Sequence, residues 1–333
     1  MKNALMSVPE AAGRIRAGAV LMIAGSEQAL KALPAGSWIG GTSVYFVAAD
    51  GGRMDKDNVF VTELDMARDS RCQYLSTGDL HNLTKDRFDS GLSLIILPGM
   101  SAAHQEFALH GASYRGLFDA PLMGWISGVH LDDLGTGVPK VIDGGTGRMY
   151  EDGAVLLHVR LPAGQVADLD IVNLFVQDRS APRITFAQDG FSAHHAFVDG
   201  QKVDFADWVA RNGIDTQLPL VADYAGAMIN VSFQSVDAEN GRVDFYAPVI
   251  AGMEYRQAKS PGAYADVFAA SVTGDGTAEI SCNCILNYLY GKLEGHTTGS
   301  FTGPATFGEI AYILMNQTMV RLSVRAEQAS QVA

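Results

Sequence analysis

The chain has 333 residues, 47% of them apolar and 18% charged, which marks a globular protein rather than a disordered one. That length makes two domains the natural expectation. A formal net charge of −13 argues against nucleic-acid backbones and anionic membrane surfaces as bulk partners. The three cysteines, Cys72, Cys282 and Cys284, are too few and too oddly spaced for a disulfide framework, and no apolar run reaches the length of a membrane-spanning helix. The N-terminal stretch does not read as a signal peptide. A soluble, cytoplasmic protein is expected.

In chain order, Pro9 following Ser7 signals a helix entry. Ala19–Ala24 reads as a strand. Ser26–Leu33 follows as a helix capped by Ser26 and stopped by Pro34-Ala35-Gly36. Trp38–Thr42 then forms a second strand that runs into glycines. Leu92–Leu97 is a continuous apolar run of the kind buried on both faces, and Ala102–Leu109 is helical behind it. Pro121–Gly128 closes this second strand-helix-strand unit. Trp38-Ile39-Gly40-Gly41 and Trp125-Ile126-Ser127-Gly128 recur within the two units, which we read as an internal duplication.

Gly153–Leu161 is a further strand, and a domain boundary is expected near Pro162–Ala167, dividing the chain into 1–165 and 166–333. Beyond it, short strands at Ile184–Phe186 and Ala196–Val198, an Asp199-Gly200 hairpin turn and a helix over Asp204–Arg211 are expected. A strand over Ala225–Val231, short strands flanking Pro248 and a helix from Ser260 to Ala270 follow. Alternation from Met319 to Val324 gives a closing strand, with a frayed tail over 326–333. The class is α/β, mixed α+β, with mixed sheets flanked by helices.

The densest chemistry lies between Thr277 and Val324. A strand ends at Cys282-Asn283-Cys284, and from Ile285 the apolar spacing turns helical, with Ile285, Leu289 and Leu293 on one face. Asn283 or Ser281 would cap this helix, and Gly291 or Gly295 would end it. Thiols at such a turn could supply a nucleophile, seat an anion or simply pack. Thr306-Phe307-Gly308-Glu309 matches a capping box; the competing reading turns Glu309 into a pocket as an acid, a base or an amine-binding group. His104, in the first turn of a helix behind a buried strand, sits where α/β folds hold ligands. His194-His195 can send at most one ring into any site. Asp132-Asp133 suits a solvated turn better than a cation site. Walker, Rossmann and His-Glu-x-x-His motifs are absent from the sequence, and Ser101 lacks the Gly-x-Ser-x-Gly elbow.

Ser281-Cys282-Asn283, the Gly308-Glu309-Ile310 turn and the closing Asn316-Gln317-Thr318 strand resemble the FIST domain family, as do Trp38–Ser43 and Phe245–Val249 upstream. The family consists of intracellular sensory modules with an N-terminal and a C-terminal half. Its members typically follow the Cys-Asn position with Gly-Arg-Gly, where this chain has Cys284-Ile285-Leu286. The resemblance implies a FIST-like arrangement of the two halves and binding of a small ligand, an amino acid or, in some relatives, haem. Many members also carry a signalling module, which is not read in this sequence, and the expectation is then a stand-alone binder, an enzyme or a partner of a separate signalling protein. The expected pocket is lined by Trp38, Gly41, Thr42, His104, Trp125, Cys282, Asn283 and Glu309. A second expectation is an enzyme acting on a small carbonyl or acyl substrate through Cys282 or Cys284, with Glu309 assisting. A haem or metal protein is the third. The sequence leaves the cofactor undefined and allows a homo-oligomer.

Overall fold

The computed structural model describes residues 2–224, 227–271, 279–299 and 301–327. Ala225, Gly226 and most of the tail read as frayed lie outside the described residues. The first stretch runs β1 (Lys2–Ser7), α1 (Val8–Arg16), β2 (Leu21–Gly25), α2 (Glu27–Lys31), β3 (Trp38–Thr42), β4 (Tyr45–Ala48), β5 (Gly51–Met54) and β6 (Asn58–Glu63). The second runs β7 (Asp69–Leu75), β8 (Gly91–Pro98), α3 (Ala102–His110), β9 (Leu122–Ser127), β10 (Val141–Asp143), β11 (Arg148–Tyr150) and β12 (Ala154–Arg160). Local chemistry explains the helix starts. Ser7 and Glu10 form a reciprocal capping box on either side of Pro9, while Ser26 and Ser101 accept from the N–H groups of Ala29 and His104.

Later elements are β13 (Gln165–Val172), β14 (Ile184–Thr185), β15 (Gly190–Ala193), β16 (His195–Val198), β17 (Gln201–Asp204), α4 (Phe205–Arg211), β18 (Leu220–Tyr224), β19 (Ala227–Val231), β20 (Phe233–Asp237), β21 (Arg242–Val249) and β22 (Tyr255–Gln257). Asp199 and Gly200, both at positive φ, make the expected two-residue turn between β16 and β17. The chain ends with α5 (Tyr264–Ser271), β23 (Glu279–Cys284), α6 (Ile285–Tyr290), β24 (Gly303–Thr306), β25 (Glu309–Ala311), β26 (Ile313–Met315) and β27 (Met319–Ala326).

Two six-stranded sheets are built to one plan. Their orders are β1-β6-β2-β3-β10-β11 and β7-β12-β8-β9-β25-β26. In each, the two central strands are parallel and every other neighbour is antiparallel. The duplication is therefore structural, but its alignment differs from the one the tryptophans suggest. Ile23 pairs with Gly40 as Ile95 pairs with Gly124, which matches Trp38 with Leu122 and Gly41 with Trp125. The two Trp-Ile dipeptides are thus three residues out of register. Trp38 faces the helix side of its sheet, among Ala11, Ile15 and Leu30, whereas Trp125 faces the core shared by the sheets.

A third sheet, β13-β27-β23-β24-β4-β5, shows Ile280, Cys282, Val320 and Leu322 to that shared core and backs its other face with Ile285, Leu286 and Phe268. This arrangement is a mixed α+β fold. The boundary expected near 162–167 falls between β12 and β13; the second and third sheets each draw strands from both sides of it. Strands β14–β22 and α4 enclose a separate core around Phe186, Phe205, Phe245 and Tyr255. Among the described residues no helix is long and apolar enough to cross a membrane.

Candidate functional site

The residues expected to line one pocket occupy three places. The first is a buried polar cluster where β23 hands over to α6. As anticipated, the strand ends at Cys282-Asn283-Cys284 and Gly291 closes the helix; the cap is Cys284 rather than Asn283 or Ser281. Leu289 is exposed rather than packed, so Ile285, Leu286 and Tyr288 carry the apolar face. The thiols diverge. Cys282 donates to the Gly124 carbonyl at 3.3 Å, and Cys284 turns toward the core around α6. Thr306-Phe307-Gly308-Glu309 caps no helix: Thr306 ends β24, Glu309 begins β25 opposite Trp125, and the Thr306 hydroxyl bonds the Asn283 and Gly308 carbonyls.

Glu309 is fully buried. Its Oε2 accepts from the Thr318 hydroxyl at 2.8 Å and the Thr318 N–H at 3.3 Å, while Oε1 has no conventional hydrogen-bond partner and the Cys284 thiol interacts with the carboxyl. Burial outweighs these bonds and pushes the Glu309 carboxyl well above the usual range. It also pushes both thiols up, with Glu309 adding to the effect. Asn283 accepts from Asn287, which also donates to the Thr318 carbonyl and accepts from the Tyr264 hydroxyl. Both thiols are consequently uncharged at neutral pH, and the Glu309 carboxyl keeps its proton to a higher pH than a solvated carboxyl does.

Thr42 occupies the second place. It exchanges bonds with the Lys140 backbone and lines an open hollow with Lys56 and His130 at the ends of β2 and β3. Gly41 lies between the sheets, and Trp38 donates from Nε1 to the Pro34 carbonyl.

His104 marks the third place, a cavity of about 260 Å³ at the equivalent ends of β8 and β9, where the three-stranded sheet β15-β21-β20 leans against the body. Phe191, Phe245, Phe307, Ile285 and Leu131 give it apolar walls. His104 is only 6% exposed and makes an edge contact with Phe191. Its Nδ1 accepts from the Met100 N–H at 3.2 Å, which leaves the ring proton on Nε2, and Nε2 has no protein partner. Burial pushes the imidazole down to about 4. Met100 holds φ at 62°, a left-handed conformation rare for a side chain of its size and costing about 1 kcal/mol or more, which turns its N–H onto His104.

On the opposite wall Arg242 and Asp244 are paired at 2.6 Å, with the Ser235 hydroxyl holding the second carboxylate oxygen at 2.9 Å. Sequence reasoning missed this pair. Its signal, alternating polar residues along β21, is ordinary for any half-buried strand. Elsewhere, His194 bonds the Gly241 carbonyl while His195 and Asp132-Asp133 are exposed. Among the described residues no three His, Cys, Asp or Glu side chains come together as a metal-ligand set.

The chain belongs to a family of unknown function, DUF6976, which it matches over residues 6–325. No curated protein matches it.

Proposed function

We propose that this is a small-molecule-binding protein of the sensory kind that its FIST-like motifs suggest, and that its ligand occupies the His104 cavity. The observation that carries the reading is the His104 Nε2–H, a buried donor left unpaired beside a cavity. Buried polar groups are nearly always satisfied, and an orphan costs roughly 1–3 kcal/mol. A ligand oxygen would remove that cost. The cavity is close to the lower end of small-molecule sites, about 300–1,000 Å³, and its mixture of aromatic walls with a few polar groups is typical of them. The Arg242–Asp244 pair offers one charge of each sign, which complements a zwitterion. An apolar or aromatic amino acid satisfies all three requirements: an acceptor for His104, an apolar body and opposed charges. Such a module would pass its signal to a separate protein.

Native mass spectrometry of the protein from its own host, set against the denatured mass, should show an adduct of amino-acid size. Thermal unfolding with a panel of amino acids should give a saturable rise for apolar or aromatic members. His104→Leu should lose that rise, while His104→Gln, which carries an amide N–H near the Nε2 position, should keep part of it. An equal rise in His104→Leu and the parent would place the ligand elsewhere. The reading favours binding over thiol chemistry because Cys282 and Cys284 are enclosed and held as thiols.

A further inference from the structure

At the other end of the second sheet lies an open cavity of about 780 Å³ lined by four arginines, Arg68, Arg71, Arg87 and Arg160, against one carboxylate, Asp89. The chain as a whole carries 37 acidic and 24 basic residues, so a concentration of guanidinium groups runs against its composition. Side-chain contacts hold three of the four guanidinium groups in place. Arg71 and Arg160 both lie over the ring of Phe88, at 4.4 and 4.7 Å from its centroid. The backbone N–H of Arg68 bonds the Arg160 carbonyl at 3.0 Å, which fixes the main chain before β7 against the end of β12 and leaves the Arg68 side chain at the rim. Arg87 donates from Nε to the Ser93 hydroxyl and from Nη1 to the carbonyls of Gly116 and Leu117, while its Nη2 has no protein partner. Behind it, Ser93 bonds the fully buried His158, whose other nitrogen meets Gln73. The Arg160–Asp69 contact at 3.6 Å is half-exposed on both sides and holds neither group tightly.

We propose that this arginine basin is a second ligand site, for a compact polyanion of the phosphorylated small-molecule class. Guanidinium forks match phosphate oxygens in geometry, and fixed ones lose little freedom on binding. Compactness follows from the charge of the surroundings. Screening confines the basin's attraction to about 8–10 Å, whereas a nucleic acid or an anionic bilayer would also meet the net negative surface beyond it. Phe88 is covered by its two arginines and 8% exposed, so it offers no free face for base stacking. The basin and the His104 cavity lie at opposite ends of β8, roughly 23 Å apart at about 3.3 Å per residue.

Titration calorimetry of the full chain with inorganic phosphate, pyrophosphate and tripolyphosphate, at about 150 mM salt, tests the assignment. One-to-one binding that tightens along the series is expected. Arg71→Gln/Arg160→Gln should weaken tripolyphosphate at least about tenfold, while Arg179→Gln/Arg211→Gln, which removes two charges elsewhere, should change it less than about twofold. If the first double variant does not fold, the rim substitution Arg68→Gln takes its place and should weaken binding about threefold. Absence of heat with all three anions overturns the proposal, as does equal weakening by the control pair. Tighter binding to an oligonucleotide or to anionic vesicles than to tripolyphosphate would overturn it in favour of a polymeric or membrane partner.

Discussion

The indole of Trp125 fills the space that Gly41 leaves open between the two duplicated sheets. A Cβ at Gly41 would stand 2.8 Å from the Trp125 ring and 2.7 Å from Ile96 Cγ2. The aligned positions of the two repeats thus hold the smallest and the largest side chain, and they interlock across the shared core. Gly41→Ala should lower stability by about 1–3 kcal/mol through overpacking, read as a shift in urea midpoint with an unchanged slope. A midpoint within error of the parent would mean that the sheets separate easily. That would reopen a ligand-facing role for Gly41.

His104 and His158 set an acid limit on the fold. In the unfolded chain each ring takes up its proton below about pH 6.5; in the fold, burial delays this to about 4 for both. The unfolded state therefore binds more protons between those values, and stability falls as pH drops through the window. Each ring costs about 3 kcal/mol by pH 4. His104→Gln should reduce the slope of unfolding free energy against pH between 4 and 6.5 by one proton's share, with no change of slope above 7. An unaltered slope would show that His104 already protonates near 6.5 in the fold, which conflicts with its enclosure beside Phe191.

How far the sequence disclosed this arrangement depended on whether a signal was local. The apolar run at 92–97, the Asp199-Gly200 turn and the handover at Cys284 to a helix ending at Gly291 each rest on neighbouring residues, and each was legible. The Thr306–Glu309 pattern is local too, but its spacing also suits a strand turning at Gly308, and pairing of β25 with β9 decided between them. Strands β4 to β7 carry a weak local signal: Asn58–Glu63 holds only a three-residue apolar run, Val59-Phe60-Val61, and pairing with β1 and β2 makes it a buried strand. The cavity was least legible. His104 could be nominated from its helix, but Phe191, Arg242 and Asp244 come from far along the chain, and tertiary packing alone brings them opposite it.

Thiol chemistry separates binding from catalysis. Cys282 and Cys284 are each 1% exposed, and burial beside Glu309 pushes both thiols up. Cys72, half-buried with its Sγ on the Trp38 carbonyl, is pushed up to about 12. Ellman's reagent at pH 8 should therefore label less than one thiol per folded chain within minutes, and all three at once in denaturant. Rapid labelling of Cys282 or Cys284 in the native protein, saturating below pH 8, would restore the nucleophile reading.

Glu309 is the sharpest test of the buried cluster. Its carboxyl is held well above the usual range by burial, so it stays protonated in the fold at a pH where the unfolded chain has already ionised. Its favourable share of stability is then complete below about pH 4.5 and drains away as pH rises toward the folded value. Glutamine mimics the protonated acid: its oxygen can accept from the Thr318 N–H and hydroxyl, and its amide cannot ionise. Glu309→Gln should match the parent near pH 4.5 and become progressively more stable than it as pH rises toward the folded value. Glu309→Ala, which strips two donors of their acceptor and opens a void, should lose at least about 2 kcal/mol near pH 4.5, a deficit that narrows as pH rises and the parent itself weakens. A Glu309→Gln variant that is destabilised by a constant amount from pH 4.5 to 8 would mean that the native carboxyl is ionised. The Cys284–Glu309 pair would then be an acid–base couple rather than a neutral packing contact.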